Sequence, residues 1–213
     1  ILSVGLVAAW HEKGLRIAPF KKGPDFIDPG WLTFAACRPC YNLDAFLMTE
    51  DQILASFLSR ADGMDLSLIE GNRGLFDGLD VDGCCSTAEL GKLLKAPVLV
   101  ILDVSMATRT MAAVVRGCQV FDPGLNIAGV ILNRVAGQRQ ETLITSAIET
   151  YCGLPVVGAV PKLKKNLFPE RHMGLVPFQE REQAEKAVLC PGWLVHPWNL
   201  RIGSLHLQAD AKQ

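Results

Sequence analysis

The residues best suited to chemistry in this sequence are acids that follow short apolar runs. Leu66, Leu68 and Ile69 lead into Glu70, and three glycines within the next eight positions prevent a helix or strand from continuing. The pattern predicts a buried strand that delivers Glu70, and then Asp77, to a loop. Because ligands of a parallel α/β sheet bind beyond the carboxyl ends of its strands, both acids are candidate site residues. A glycine-rich surface turn with solvated acids is the alternative.

A second group combines lysines with aspartates. It follows a short strand predicted at residues 16–20, in a segment whose glycines and prolines predict a loop. Lys21, Lys22, Asp25 and Asp28 together could bind a polyphosphate and its magnesium ion, because magnesium prefers oxygen ligands. A solvated turn is the alternative.

The cysteines do not form a recognisable framework. There are seven of them: Cys37, Cys40, Cys84, Cys85, Cys118, Cys152 and Cys190. An odd number without regular spacing, in a chain of this size, predicts reduced thiols. The Cys37 to Cys40 spacing could form half of a zinc site or a redox pair, but Cys84 and Cys85 are adjacent and supply no matching second pair.

Composition excludes some classes of function. The 21 basic and 22 acidic residues give a net charge of −1, which does not favour binding to nucleic acid or to an anionic membrane. A hydrophobic share of 49% is ordinary for a globular protein, and 213 residues predict one substantial core. No apolar run approaches membrane-spanning length and no signal peptide opens the chain, so we expect a cytoplasmic protein.

These side chains must be positioned by alternating strands and helices. Apolar periodicity predicts helices at residues 1–13, 47–60, 87–95, 105–120 and 138–151. Short apolar runs predict buried strands at residues 16–20, 66–70, 97–103, 127–132 and 156–160. This alternation predicts an α/β fold, a parallel sheet with flanking helices. From residue 191 the periodicity ends.

Several sequence blocks together resemble one known family, the cobyrinic acid a,c-diamide synthase family. They occur in the family's order, at residues 21–29, 42–44, 70–78, 86–88, 121–123, 129–135 and 169–175. The resemblance covers residues 1 to about 178. It implies a fold of the P-loop NTPase and dethiobiotin synthetase type.

The resemblance also implies an activity. Family members are ligases that use ATP to convert acetate side chains of a tetrapyrrole into primary amides, with ammonia released from glutamine by a class I glutaminase domain. The carboxylate is activated as an acyl phosphate, which requires ATP, magnesium and the acceptor in line. Residues 1–178 are then expected to be a synthetase domain without its P-loop start, and residues 179–213 a linker toward a glutaminase domain or subunit. A homodimer is left open.

The resemblance assigns roles to the four acids. It places Asp25 and Glu70 at the metal, and Asp28 and Asp77 at the substrate or at ammonia. One of the latter two could deprotonate ammonium or orient the acceptor. Catalysis is therefore expected from Asp28, Glu70 and Asp77, with Asp25 and Glu70 as magnesium ligands.

Further residues are expected to contact the nucleotide. Lys21 and Lys22 could neutralise phosphate or the tetrapyrrole acetates. Asn133, with Arg134 after it, follows a predicted strand at the position that contacts adenine in related P-loop enzymes, and a carboxamide can pair with the adenine edge. His172 is either an acid–base group or part of an interface with the next domain.

Alternative functions stay open. Phe26 in place of a tyrosine, Asn72-Arg73 and Cys84-Cys85 depart from the commoner family pattern. These departures leave the substrate open, and the resemblance implies sirohaem or nickel-sirohydrochlorin as alternatives within the same family. A nucleotide-switch ATPase of the ParA or MinD type shares the predicted sheet, and a non-enzymatic remnant is a third class.

Overall fold

The computed structural model describes residues 2–162, 170–171 and 174–175. These residues belong to two compact units, of which the first ends at Leu90 and the second begins at Gly91, with residues 170–171 and 174–175 assigned to the first. Each unit has its own three-stranded parallel sheet and its own hydrophobic cluster. The expectation of a single core is therefore wrong for the described residues. The domain boundary predicted at residue 178 lies outside them.

The first unit is built on a sheet with strand order β2-β1-β3. Its strands are β1 (Ile17–Lys22), β2 (Tyr41–Leu43) and β3 (Leu66–Glu70). Its helices are α1 (Leu2–Glu12), α2 (Ile27–Ala36), α3 (Glu50–Ala61) and α4 (Thr87–Leu93), the last crossing the boundary between units. Residues 170–171 and 174–175 form a two-residue antiparallel pair.

Helices α1 and α2 supply most of the first core. Val7, Trp31 and Leu32 are fully buried there, against Ile17 of the central strand. Such burial stabilises the fold by about 1.5–3 kcal/mol for each large apolar side chain. It fixes the position of α2, and therefore of the acid in the first turn of α2.

A helix and a strand close to the candidate site were not predicted from the sequence. Residues 27–36 form α2, where the glycines and prolines of the preceding segment had predicted only a loop. Pro29 lies in the first turn, where its missing N–H removes no helical hydrogen bond. Strand β2 is not among the strands predicted from sequence, but it pairs with β1 in parallel, with Asn42 opposite Lys21. A three-residue strand is too short to give a periodic signal.

The second unit repeats the parallel arrangement with strand order β4-β5-β6. Its strands are β4 (Val98–Asp103), β5 (Ile127–Val135) and β6 (Val156–Pro161). Its helices are α5 (Thr110–Phe121) and α6 (Gln138–Cys152). Val115, Val130, Ile144 and Ile148 are fully buried in its core. The predicted α/β fold of parallel strands and flanking helices is thus confirmed, although α5 begins at residue 110 rather than 105.

Two strands are less buried than predicted. Every residue of β3 is only half-buried, and Ile101 in β4 is 46% exposed. The physical reason is that β3 and β4 lie at sheet edges, each pairing on one side only among the described residues. Among those residues, no helix is both long and apolar enough to cross a membrane.

Candidate functional site

A buried lysine surrounded by acids lies at the carboxyl ends of β1 and β3. Lys21 is 4% exposed, and its Nζ donates to Asp28 Oδ2 at 2.7 Å and to Glu70 Oε2 at 3.3 Å. It also donates to the Gly71 carbonyl at 3.3 Å and lies 4.0 Å from Asp25 Oδ2. We call Lys21, Asp25, Asp28 and Glu70 the acid–lysine cluster. Three of the acids predicted from sequence therefore surround the ammonium group of the predicted lysine.

Three elements position this cluster. Lys21 lies opposite Glu70 in the parallel register of β1 and β3, so their side chains extend from the same face of the sheet. Asp28 occupies the first turn of α2. Asp25 precedes that helix, and its Oδ1 accepts from the Ile27 N–H at 3.0 Å. The loop from β1 to α2 thus turns two acids back toward the strand ends.

The charges of the cluster stabilise one another. Burial disfavours the charged form of Lys21, but attraction to Glu70 and Asp28 outweighs it, so the pKa of Lys21 is raised above its ordinary value. Burial likewise acts against ionised Asp28, but its hydrogen bond and attraction to Lys21 prevail and lower the pKa of Asp28. At neutral pH, Lys21 is a cation and Asp28 an anion.

Lys22 has different contacts. Its Nζ donates to Asn72 Oδ1 at 2.8 Å, and this bond ties the end of β1 to the loop after β3. The pKa of Lys22 is lowered, chiefly by burial. Asn72 was recognised from sequence only as a departure from the family pattern, and its role as the Lys22 partner becomes visible only in the fold.

Asp44 is a buried acid that was not predicted from sequence as a site residue. It follows β2, is 7% exposed, and its Oδ1 accepts from the Phe46 N–H at 2.9 Å. Its Oδ2 is buried without a hydrogen-bond partner among the described residues. Asn42 Nδ2 donates to the carbonyls of Gly23 and Asp25 at 2.6 and 2.7 Å, so the β2 end is bonded to the β1 loop. In the sequence, the only indication that Asp44 belongs near the site was that residues 42–44 form one of the blocks that resemble the family.

Asp77 lies in the glycine-rich loop rather than in the acid–lysine cluster. It is exposed, and its Oδ2 accepts from the Gly74 N–H at 2.9 Å. A Cβ on Gly74 would lie 2.6 Å from that oxygen, so only glycine fits this turn without displacing Asp77. The described contact of Asp77 stabilises the loop, and its catalytic role stays a prediction.

Asn133 and Arg134 belong to the second unit. Asn133 is half-buried near the end of β5, opposite Asp103 of β4. Arg134 is exposed, has a φ of 65° and donates from Nη1 to Asp103 Oδ2 at 3.1 Å. A left-handed φ is uncommon for arginine, and here it coincides with a shift in the β5–β6 register between Asn133 and Val135. Their nucleotide contacts stay predictions, and His172 lies outside the described residues.

An open cleft also lies in the second unit. It has a volume of about 490 Å³ and is lined by residues of the β5–α6 loop and of the first turns of α6, together with Thr108. Gln140 Nε2 donates to the carbonyls of Val104 and Ala107, both at 2.7 Å, which holds the loop after β4 against α6. The cleft lies directly after Asn133 and Arg134 in sequence.

The acid–lysine cluster suits a magnesium ion bound jointly with phosphate. The cluster has three carboxyl groups around one ammonium group, so its acids outnumber its own cation and favour a further cation beside them. No group of three or more His, Cys, Asp or Glu side chains arranged for a metal occurs among the described residues. A magnesium ion that shares its ligands with substrate phosphates needs only one or two carboxylates, so the donor chemistry fits.

Fold and site together define an α/β protein of the P-loop NTPase type. The solved structure of chloroplast FtsY from Physcomitrella patens aligns with a TM-score of 0.51 at 18% identity, covering 89% of this chain and 60% of that one. Residues 1–176 match the family described as the CobQ/CobB/MinD/ParA nucleotide binding domain. The chain belongs to that family.

Curated relatives extend the comparison. A cobyrinate a,c-diamide synthase of Magnetococcus marinus is 47% identical over 209 residues, which are 98% of this chain and 43% of that protein. The Archaeoglobus fulgidus cobyrinate a,c-diamide synthase is 41% identical, over 87% of this chain and 41% of its own length. A hydrogenobyrinate a,c-diamide synthase of Streptomyces coelicolor is 42% identical, over 90% and 40%. The family resemblance is thus confirmed, and the chain spans less than half the length of these relatives.

Proposed function

We propose that this chain is the nucleotide-binding part of an ATP-dependent ligase that amidates acetate side chains of a cobyrinate-type tetrapyrrole. The acid–lysine cluster is the observation that supports this most directly. Transfer of a phosphoryl group from ATP to a carboxylate brings two negatively charged groups together. Fixed cations and a metal ion are needed to offset the repulsion between them. Relatives named cobyrinate and hydrogenobyrinate a,c-diamide synthase support the choice of substrate.

Lys21 would be the fixed cation of this reaction. Its raised pKa keeps it charged, and its burial against Asp28 and Glu70 holds the ammonium in one place. A preorganised charge stabilises a charged transition state without reorganising at the moment of reaction. Lys22 would attract the tetrapyrrole carboxylates or phosphate from the adjacent strand position.

Asp25 and Glu70 would hold the magnesium ion. When bound, magnesium supplies charge neutralisation for the transferred phosphoryl group. Asp28 would then retain Lys21 as its partner while facing the acceptor carboxylate or ammonia. Asp77, exposed on the loop after β3, would orient the substrate or accept a proton from ammonium.

Exposed apolar side chains on the loops after the three strands of the first unit support a macrocyclic substrate. Phe26, Phe46 and Leu47 are 74%, 72% and 69% exposed, and Leu79 and Val81 are 63% and 97% exposed. Apolar side chains grouped on ligand-binding loops are typical of a site that is covered when its ligand binds. A tetrapyrrole has an apolar face and an acidic rim, which would suit these residues and the nearby lysines.

In the second unit, Asn133 and Arg134 would contact the adenine and phosphates of ATP. Their place at the carboxyl end of β5 supports this assignment. Ammonia would come from a glutaminase domain or subunit. Because the reaction consumes ATP, we place it in the cytoplasm.

The decisive variant is Glu70→Gln in the protein expressed from its own gene. We expect loss of ATP-dependent amide formation from cobyrinate with ammonium as the nitrogen source, since one metal-side charge is removed. Circular dichroism checks that the fold is retained. Glu12→Gln, an exposed acid at the end of α1, makes the same chemical change outside the cluster and should leave activity unchanged.

A retained rate would contradict the assignment of Glu70. Activity of Glu70→Gln within about tenfold of the unmodified protein corresponds to about 1.4 kcal/mol of barrier, too little for a metal ligand. Absence of amide formation by the unmodified protein with cobyrinate, sirohaem and nickel-sirohydrochlorin would overturn the proposed function. ATP hydrolysis that does not depend on any tetrapyrrole would favour a nucleotide switch instead.

A further inference from the structure

Two adjacent cysteines in the loop between β3 and α4 have no role in the proposed reaction. Cys84 is exposed, Cys85 is half-buried, and both are free thiols. Their Sγ atoms lie 3.4 Å apart, within hydrogen-bonding distance for sulfur. The two side chains therefore already face each other in the reduced protein.

The backbone around this pair is tightly constrained. Cys85 has a left-handed φ of 62°, which is uncommon outside glycine. The Leu79 N–H donates to the Cys84 carbonyl at 2.9 Å, and a Cβ on Gly78 would lie 2.4 Å from the same oxygen. The carbonyl of the peptide bond that joins the two cysteines thus fixes the backbone of Leu79, two residues after Asp77.

The environments of the two thiols differ. Burial raises the pKa of Cys85, its hydrogen bond to Cys84 adds to this effect, and the positive charge of Lys22 opposes it. Cys84 is the more accessible of the two. An attacking thiol must reach its partner from solvent, so Cys84 is the better placed to react first.

We propose that Cys84 and Cys85 form a reversible dithiol–disulfide modification site for low-molecular-weight disulfides such as oxidised glutathione. The Cys84 thiolate attacks one sulfur of the reagent, forming a mixed disulfide and expelling one thiolate. Cys85 then attacks the Cys84 sulfur, forming the Cys84–Cys85 disulfide and expelling the second thiolate. The two expelled thiolates take up the two protons that the cysteines lose, so the protein is oxidised by two electrons and the reagent is reduced.

Reversibility follows from geometry. Adjacent Cα atoms are about 3.8 Å apart, which is shorter than the roughly 4.4–6.8 Å that disulfides ordinarily span. A bond formed here is strained and therefore readily reduced. Because it closes a ring through the Cys84 peptide group, it should turn the Cys84 carbonyl and break its bond to Leu79.

The other closely spaced pair, Cys37 and Cys40, has different surroundings. Burial, and then the negative charge of Glu70, raises the pKa of Cys40 to about 12, so Cys40 is a poor attacking thiol. The Cys37 thiol is exposed and donates to the Phe34 carbonyl at 3.8 Å. The redox pair considered from their spacing stays a prediction, and Cys37 serves as an exposed control.

Mass spectrometry of the full chain tests the proposal. The protein is incubated with graded ratios of oxidised to reduced glutathione, and its free thiols are alkylated. After proteolysis, the mass of the peptide that contains both cysteines is measured. We expect that peptide to become lighter by two hydrogen atoms and to escape alkylation, while Cys84→Ser and Cys85→Ser retain glutathione on the remaining thiol. Amides at 79–84 should then exchange hydrogen faster, and excess dithiothreitol should reverse both changes.

Contrary results are equally clear. Stable glutathione on either cysteine of the unmodified chain, or alkylation of both as complete as that of Cys37, would overturn the site. Unchanged exchange at 79–84 in the oxidised protein would overturn the loop effect. Phenylarsine oxide gives a test without substitutions, because one reagent molecule should protect both thiols from alkylation. Protection of neither thiol would contradict the proposal.

Discussion

At the scale of single residues, the central feature is a buried lysine whose neighbours are nearly all acids. The sequence identified Lys21 and its three carboxylates as candidates, because they follow strands in glycine-rich or proline-rich segments. It could not assign partners to Lys21 and Lys22, since adjacent strand positions face opposite sides and the register decides which residue meets each face. Asn72 and Asp44 depended in the same way on contacts made across the sheet.

Replacing Lys21 should destabilise the protein. Lys21→Gln leaves Asp28 and Glu70 partly buried without their cation, and we expect a loss of about 1.5–3 kcal/mol, the range for hydrogen bonds to charged groups. Urea unfolding of the unmodified protein and of this variant measures the difference. Lys22→Gln loses one hydrogen bond, to Asn72, and should cost less. Equal losses for the two variants would contradict the central role of Lys21.

An exposed ion pair should act on stability at low pH. The Arg16 guanidinium and backbone N–H donate to Asp65, and these hydrogen bonds lower the pKa of Asp65 from 3.8 to about 2. A lowered carboxyl pKa stabilises the fold above the unfolded value of 3.8, and this contribution is lost as pH falls toward 2. Asp65→Asn should therefore unfold at lower urea than the unmodified protein at pH 5, with the gap closing by pH 2.

The partner of Asp65 supplies the control. Arg16→Gln should show a smaller gap that also closes, because it removes the guanidinium bonds to Asp65 but leaves the bond from the backbone N–H of residue 16. The double variant should lose little more than Asp65→Asn alone. A gap that stays constant from pH 5 to pH 2 would show that Asp65 contributes through something other than its ionised form.

At the scale of elements, long periodic segments were predictable and short ones were not. The sequence predicted α3 and α6 close to their observed bounds, because their apolar spacing is regular. It missed α2, because Gly30 and Pro29 weigh against a helix when read alone. Tertiary burial of Trp31 and Leu32 outweighs that local preference. The missed helix carries Asp28, so the error concerned the site itself.

Two glycines should respond oppositely to alanine. A Cβ on Gly78 would lie 2.4 Å from the Cys84 carbonyl oxygen and from the Gly83 carbonyl carbon, so Gly78→Ala must displace the backbone of the loop after β3. We expect it to destabilise the protein by at least about 1 kcal/mol. Gly117 lies exposed within α5 with nothing near its Cβ position, so Gly117→Ala should stabilise by about 0.5–1 kcal/mol. Thermal unfolding distinguishes them, and a neutral Gly78→Ala would contradict the described loop.

At the scale of the whole molecule, the described residues form two units, and the candidate residues are divided between them. The acid–lysine cluster belongs to the first, and Asn133 and Arg134 belong to the second. The sequence predicted the class of fold, because alternating strands and helices specify parallel sheets. It could not predict the division into two cores, since periodicity within each element does not report which elements share a core.

The fate of oxygen in the reaction tests the central claim most directly. Cobyrinate labelled with a heavy oxygen isotope in its acetate carboxylates is incubated with ATP, magnesium, ammonium and the protein expressed from its own gene. If a carboxylate is activated by phosphoryl transfer, one labelled oxygen per amide must appear in inorganic phosphate, and Glu70→Gln should abolish this transfer. Phosphate that carries oxygen from water alone, released at the same rate without cobyrinate, would contradict the account.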